Sequence, residues 1–269
     1  MQDMINSLYN IRHLDDLARK ETPIHGLHPL AKLITTVIFL TVVVSFGRYE
    51  TGRLLPFFFY PVIVFAFAEL PAGVMLKRIL IAEPFILAIG ILNPLFETQT
   101  VAIGGMVVSR GWITFLSIFL KGGLTVAAAL LLVATTGMDR LGAALRMLKV
   151  PRIFVLQLLL TYRYIWVLTE EVARMLRAYA LRSPQQKGIH ISAWGSFAGQ
   201  LILRTFDRAQ RVYEAMCLRG FAGEYNTGAE VKIKAADFLY VAGWGLFFAA
   251  ARTYDIPMLI GTWVTAIGG

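Results

Sequence analysis

Apolar runs near membrane-spanning length, parted by short polar breaks, fill most of this 269-residue chain, and the pattern changes only between residues 137 and 234. The first run covers Pro29 to Phe46, with Lys32 near one end. Gly47 to Arg53 separates it from Leu54 to Ala68, where Pro56 and Pro61 remove backbone donors and predict a kinked or tilted segment. Lys77 and Arg78 precede a third run, Ile79 to Phe96, interrupted at Glu83-Pro84 and Asn93-Pro94. Glu83 falls within about one turn of the charged edge, which predicts an interfacial carboxylate. The segment TVAIGGMVVS (100–109) has the composition of a hairpin about Gly104-Gly105 or of a surface-lying stretch. A fourth run, Trp112 to about Thr136, holds Lys121, Gly122 and Gly123. The lysine must face protein or snorkel, and the glycines permit close helix contact. A last strong run covers Ala235 to Ala251, whereas Ile256 to Ile267 is too short for a standard span and reads as interfacial, re-entrant or partly embedded. The pattern predicts an all-α, multispanning helical membrane protein with about five to six spans.

Between these runs lies an amphipathic block. A short helix, Leu141 to Lys149, ends at Pro151. The stretch RIFVLQLLLTYRYIWVLTEEVARMLRAYALRSP then predicts one long helix from residue 152, stopped at Ser183-Pro184. The next, FAGQLILRTFDRAQRVYEAMCLRGF, stops at Gly220, a natural residue just past a helix end. Each helix carries an arginine in its last turn: Arg182 in Ala180-Leu181-Arg182, and Arg219 in Cys217-Leu218-Arg219. Such an arginine can complement the negative end of its own helix dipole, or present a planar donor fork outward. Recurrence of the same ending in two helices favours the second reading. On the second helix Phe206, Ala209, Tyr213 and Met216 share one face, while Arg204, Asp207, Arg208 and Arg211 lie on another. Glu170 with Arg174, and Asp207 with Arg211, stand at favourable i,i+4 spacing, and Arg177 adds to the basic side of the first helix. These faces are solvated or partner-facing and cannot face lipid.

Charge sharpens the division. The chain is 57% hydrophobic and only 16% charged, with a net charge of +9. Residues 137 to 234 hold 15 Lys and Arg against 7 Asp and Glu, so that block is expected on the cytoplasmic side. Three segments follow: 1–136 with the first four spans, 137–234 as a cytoplasmic region, and 235–269 with a final span and tail. Nucleic acid is not expected as a partner, because the basic residues alternate with acids and apolar faces and no binding motif accompanies them. Residues 1 to 28 lack the form of a cleaved signal, and His13, His25 and His28 read as solvated loop histidines, since Gly26 and Pro29 interrupt any helix that could present the last two together. The single cysteine, Cys217, excludes an internal disulfide framework and reads as a reduced thiol; no metal site is expected. A Walker A loop, a Gly-x-Ser-x-Gly elbow and a His-Glu-x-x-His motif are all missing. Asp15-Asp16 and Glu170-Glu171 are neighbours that diverge by about 100° on a helix, so neither makes an acid/base pair. No catalytic residue is assigned, and the chain is not expected to be an enzyme.

Val150-Pro151, LTYRYI, TEEVARMLRAYALRSP and GQLILRTFDRAQRVYEAMCLRGF, with LDDLA and HPLAKL near the N-terminus, resemble the transmembrane coupling component of energy-coupling-factor transporters, especially the cobalt/nickel type. The resemblance implies an integral protein of a prokaryotic plasma membrane that docks coupling helices onto two ATP-binding cassette subunits and holds a separate substrate-binding membrane subunit. Ala180, Leu181 and Arg182, and Cys217, Leu218, Arg219 and Gly220, match the family's two arginine motifs, with Arg174, Arg177, Arg204, Arg208 and Arg211 in support. Cys217 stands where the family commonly has alanine, and Ser183-Pro184 where it usually has glycine. On this resemblance the chain binds no cofactor, and ATP with magnesium belongs to the ATPases. Cobalt or nickel is the implied cargo; a vitamin or other micronutrient, or a scaffold role without transport, is the alternative.

Overall fold

The computed structural model describes residues 17–18, 20, 22–96, 100–103, 106–183, 189–223 and 233–255. In chain order these form α1 (Pro29–Ser45), a 3-10 helix (Thr51–Phe58) running into α2 (Phe59–Phe67), α3 (Ala72–Gly90), α4 (Leu92–Phe96), β1 (Thr100–Ile103), β2 (Met106–Ser109), α5 (Arg110–Thr136), α6 (Met138–Met147), α7 (Arg152–Arg182), a 3-10 turn (Ile191–Ala193), α8 (Trp194–Leu218) and α9 (Ala235–Thr253). They divide into two compact units, one holding α1 to α5 with the hairpin and α9, the other holding α6, α7 and α8.

In the first unit α5 is the central helix, with α1, α2, α3 and α4 against it and α9 against α1. It is 27 residues long and its most apolar 18-residue stretch has a mean hydropathy of 2.1, ample for a membrane span. Two lysines fix its register on α1. Near one end Lys32 Nζ donates to the Thr135 carbonyl at 2.8 Å. At the other, Lys121 Nζ donates to the carbonyls of Phe46 at 2.8 Å and Gly47 at 3.2 Å. The two helices are therefore antiparallel, and about 21 Å of each lies between the lysine contacts at the helical rise per residue. Lys121 is satisfied by the two carbonyls just past the end of α1. On the opposite side, a Cβ on Gly122 would come within 2.5 Å of Ile86 Cδ1, so its absence lets α3 approach. Gly111 does the same for α4, where a Cβ would lie 2.6 Å from Pro94 Cα.

The α1/α9 side is filled by rings. Phe39, Phe57, Tyr60 and Phe248 are buried, with Phe39 to Phe248 centroids 5.4 Å apart and Tyr60 to Phe248 edge-on at 5.4 Å. Tyr60 shares a hydrogen bond with Thr36 at 3.1 Å, which satisfies a hydroxyl that burial would otherwise strand. Beyond α1, Glu50 accepts from the Gly47 N–H and pairs with Arg53 and Arg252 at 3.3 and 3.4 Å, while Arg53 also reaches Asp255 at 3.1 Å. The Gly47 N–H and the two guanidiniums hold the Glu50 carboxyl below its ordinary range.

Several expectations hold in detail. The fourth run is α5 and the long basic helix is α7; of the two readings of 100–109, the antiparallel pairing of 100–103 with 106–109, Thr100 opposite Ser109 and Ile103 opposite Met106, favours the hairpin, while Gly104-Gly105 lies outside the described residues. The kink expected from Pro56 and Pro61 takes the form of a 3-10 segment passing into an α-helix at Phe58–Phe59.

Other expectations are corrected. The third run begins seven residues earlier than Ile79, so Lys77 and Arg78 lie inside α3, and Pro84 is tolerated within it. Glu83 is not at an edge. It is buried against α5, its Oε1 beside Gly123 and its Oε2 without a hydrogen-bond partner among the described residues. His25 and His28 are not solvated; both are buried. His28 caps α1 by accepting from the Leu30 N–H at 3.1 Å, and its own N–H donates to Asp237 Oδ1 at 2.6 Å. His25 Nδ1 lies 2.6 Å from Thr22 Oγ1. His13, Asp15, Asp16, Pro184, most of the 222–234 connector and Ile256 to Ile267 lie outside the described residues.

Burial, and then the positive charge of Lys32, push the His25 imidazole below its ordinary value. The fold thus favours neutral His25, whereas the unfolded chain takes up a proton near pH 6.5. Stability that is full above that value is lost as pH falls below it toward the depressed folded value. Thermal unfolding of the detergent-solubilised protein should show a lower midpoint at pH 5.5 than at pH 7.5, and His25→Gln should flatten that dependence.

Candidate functional site

The second unit presents two helix ends built in different ways. α6 ends with Lys149 at φ +61°, its N–H bonded to Arg146 and the Val150 N–H to Leu145, and Pro151 then starts α7. α7 runs 31 residues to Arg182, and the Ser183 N–H closes on the Tyr179 carbonyl at 3.0 Å. The returning strand of chain is tied to the same turn, since the His190 N–H donates to the Tyr179 hydroxyl at 3.3 Å.

α8 ends in a Schellman motif. Gly220 has φ +78°, its N–H bonds to Cys217 at 3.0 Å, and the Phe221 N–H reaches back to Met216 at 3.0 Å. These two bonds satisfy carbonyls that a helix end otherwise leaves open.

At both ends the residue before the arginine is a leucine standing in the open. Leu181 is 84% exposed and Leu218 is 90% exposed. Ala180, Arg182, Cys217, Arg219 and Gly220 are exposed as well, and Cys217 is a free thiol. Among the described residues neither Arg182 nor Arg219 has an ion-pair partner. Isolated exposed leucines are ordinary, but a leucine and an unpaired guanidinium together at each of two helix ends make one apolar and one charged contact available twice.

The supporting arginines divide. Arg174 and Arg204 are brought together on one carboxylate, Glu171. Arg174 Nε donates to Glu171 Oε2 at 3.1 Å, and Arg204 Nη1 donates to Glu171 Oε1 at 2.7 Å. Sequence spacing named the neighbouring Glu170 as the partner of Arg174. The bond closes one residue later because Glu171 faces α8, where it meets Arg204, whereas Glu170 is exposed. Arg208 and Arg211 line a groove of about 230 Å³ beside this contact, with Val167, Leu168 and Asp207. Arg177 is exposed on α7. Glu171 itself was missed by sequence reasoning, because its second partner is 33 positions away. Among the described residues no group of three or more His, Cys, Asp or Glu could hold a metal ion.

A family model covers most of the chain. Residues 20–229 match the family model CbiQ, described as a cobalt transport protein. The chain is also similar to an uncharacterized protein of Methanocaldococcus jannaschii, 26% identical over 264 residues, covering 88% of this chain and 89% of that one.

Proposed function

The chain belongs to the CbiQ cobalt transport family, integral and non-catalytic membrane components of energy-coupling-factor transport systems, and from that premise we propose that it is the subunit that carries the motion of two ATPases to a substrate-capturing membrane partner. The observation that carries this reading is the pair of Leu-Arg helix ends, Leu181-Arg182 and Leu218-Arg219, both exposed. A leucine seated in an apolar pocket of a partner gains about 1.5–3 kcal/mol. The adjacent guanidinium, partly desolvated by the same contact, can pair with a carboxylate more strongly than at an open surface. Two such ends suit two ATPase subunits, one each. Nucleotide-driven closure of the ATPases displaces the ends, and the helices pass that displacement toward the membrane.

Arg177, Arg208 and Arg211 supply a basic surround that steers the approach of an acidic docking site. Residues 137–234 are on the cytoplasmic side, a reading supported by their 15 Lys and Arg against 7 Asp and Glu. Residues 1–136 and 235–269 form the membrane-embedded part that meets lipid and the capture subunit. ATP and magnesium are bound by the ATPases alone.

The proposed cargo is cobalt, the metal in the family's description, or the chemically similar nickel. The test is reconstitution: a cell lacking its own metal importers receives this chain with neighbouring genes for the ATPases and the capture subunit. Accumulation of cobalt or nickel, and co-purification of two ATPases with the chain, support the reading. Uptake of a vitamin instead would reassign the cargo and keep the mechanism, and a chain that purifies without ATPases would end it.

A further inference from the structure

We infer that Glu171 is a positioning residue for coupling: its carboxylate pins α7 to α8 at one point and so sets where the two Leu-Arg ends lie relative to each other. The contact between α7 and α8 is short. Within it, Arg204 Nη1 takes one oxygen of Glu171 at 2.7 Å, and Arg174, three residues further along α7, takes the other through Nε at 3.1 Å. Both carboxylate oxygens are thus engaged, and the Glu171 side chain is only 16% exposed. A single exposed pair of this kind contributes little, but a carboxylate held on both oxygens by two guanidiniums has a fixed orientation.

The placement along the helices gives the contact its consequence. Glu171 stands 11 residues before Arg182, and Arg204 stands 10 residues after the start of α8 at Trp194. The pin is therefore about equally far from the turn joining the helices along each of them, as in a hairpin. Arg219, 15 residues beyond Arg204, then lies on the other side of the pin from Arg182. At the helical rise the arms from the pin are about 16 Å to Arg182 and about 22 Å to Arg219. A change of about 10° in the crossing angle moves each end by roughly 3–4 Å on arms of that length. The pairing that holds the angle decides whether ATPase motion becomes displacement of the membrane helices or is spent in a loose joint.

This inference rests on the coupling reading, and the experiment separates the two. The full complex is purified as wild type, as Glu171→Gln, as Glu171→Arg, and as Glu171→Arg with Arg204→Glu. Spin labels on cysteines replacing the exposed Ala178 and Glu214, in a Cys217→Ala background, report the distance between the ends in the assembled complex, and uptake per ATP hydrolysed is measured on unlabelled protein. Both single variants should still assemble with the ATPases. Glu171→Gln should broaden the distance distribution and lower uptake per ATP roughly five-fold, the scale of one partly exposed ion pair. Glu171→Arg should lower it further, and the double exchange should restore a narrow distribution and most of the uptake. A complex that assembles, with distances and uptake per ATP unchanged in Glu171→Gln and Glu171→Arg, overturns the inference. So does a double exchange no better than Glu171→Arg. A wild-type chain that binds no ATPase overturns the coupling reading itself.

Discussion

Arg182→Ala combined with Arg219→Ala is expected to abolish ATP-driven uptake while leaving the chain inserted in the membrane at its normal level. Both guanidiniums are exposed and without ion-pair partners among the described residues, so their loss leaves nothing inside the fold unsatisfied. Docked in a partner groove, each would face a group that has given up its water, and removing one member of such a pair costs about 2–5 kcal/mol. Each single change should therefore reduce transport by at least an order of magnitude, and the pair of changes should reduce it to background. Membrane fractionation, retention of the ATPases on the immobilised chain, and labelled-metal uptake measure the three quantities. Wild-type uptake by the double variant would falsify the assignment of the ends. Retained ATPases with lost uptake would mean that the arginines transmit motion and that the leucines hold the contact.

Asp237→Ala is expected to have the largest effect on stability. The Asp237 carboxylate is buried and joins two chain segments 209 positions apart: Oδ1 accepts from the His28 N–H at 2.6 Å and Oδ2 from the Lys234 N–H at 2.7 Å. It thereby closes the start of α9 against the start of α1. Alanine would strand both donors, each at about 1–3 kcal/mol, and one of them, the Lys234 N–H, is the cap at the start of α9. The unfolding midpoint in detergent should fall on the order of 10 °C at the sensitivity of a domain this size. Asp237→Asn keeps one acceptor and should lose about half as much. An unchanged midpoint for Asp237→Ala would mean that the α1/α9 closure is held by the ring cluster of Phe39, Tyr60 and Phe248 alone.

What could be read from sequence follows from what is local. The end of α7 was legible because Ser183-Pro184 stops a helix by its own backbone chemistry, and the end of α8 because Gly220 accepts a left-handed conformation. Composition narrowed 100–109 to a hairpin or a surface-lying stretch, and the pairing of β1 with β2 decides for the first. Glu171 was not, since adjacent positions on a helix differ by about 100°, and either Glu170 or Glu171 could meet Arg174 by spacing. Only the course of α8, which brings Arg204 alongside, decides between them. His25 and His28 were misread for a similar reason. A polar loop between a charged segment and an apolar run looks solvated until distant residues reach it, Asp237 at the His28 N–H and the Ala134 backbone at His25. Glu83 was misplaced because distance from the charged pair Lys77-Arg78 was taken as distance from water, whereas α3 begins before those residues and packs Glu83 against Gly123 of α5.

The Schellman closure at Gly220 bears on the speed of assembly. Its two backbone bonds finish the end of α8 without help from any other chain, so under the proposed docking the plug offered to an ATPase is moulded before the encounter. Association there needs no ordering of the chain, and its rate is set by collision and by the pull between opposite charges. Release leaves the plug intact for the next cycle. A side chain at position 220 would oppose the left-handed turn, and the penalty would surface as slow capture of the ATPase even where the final complex is as tight as before.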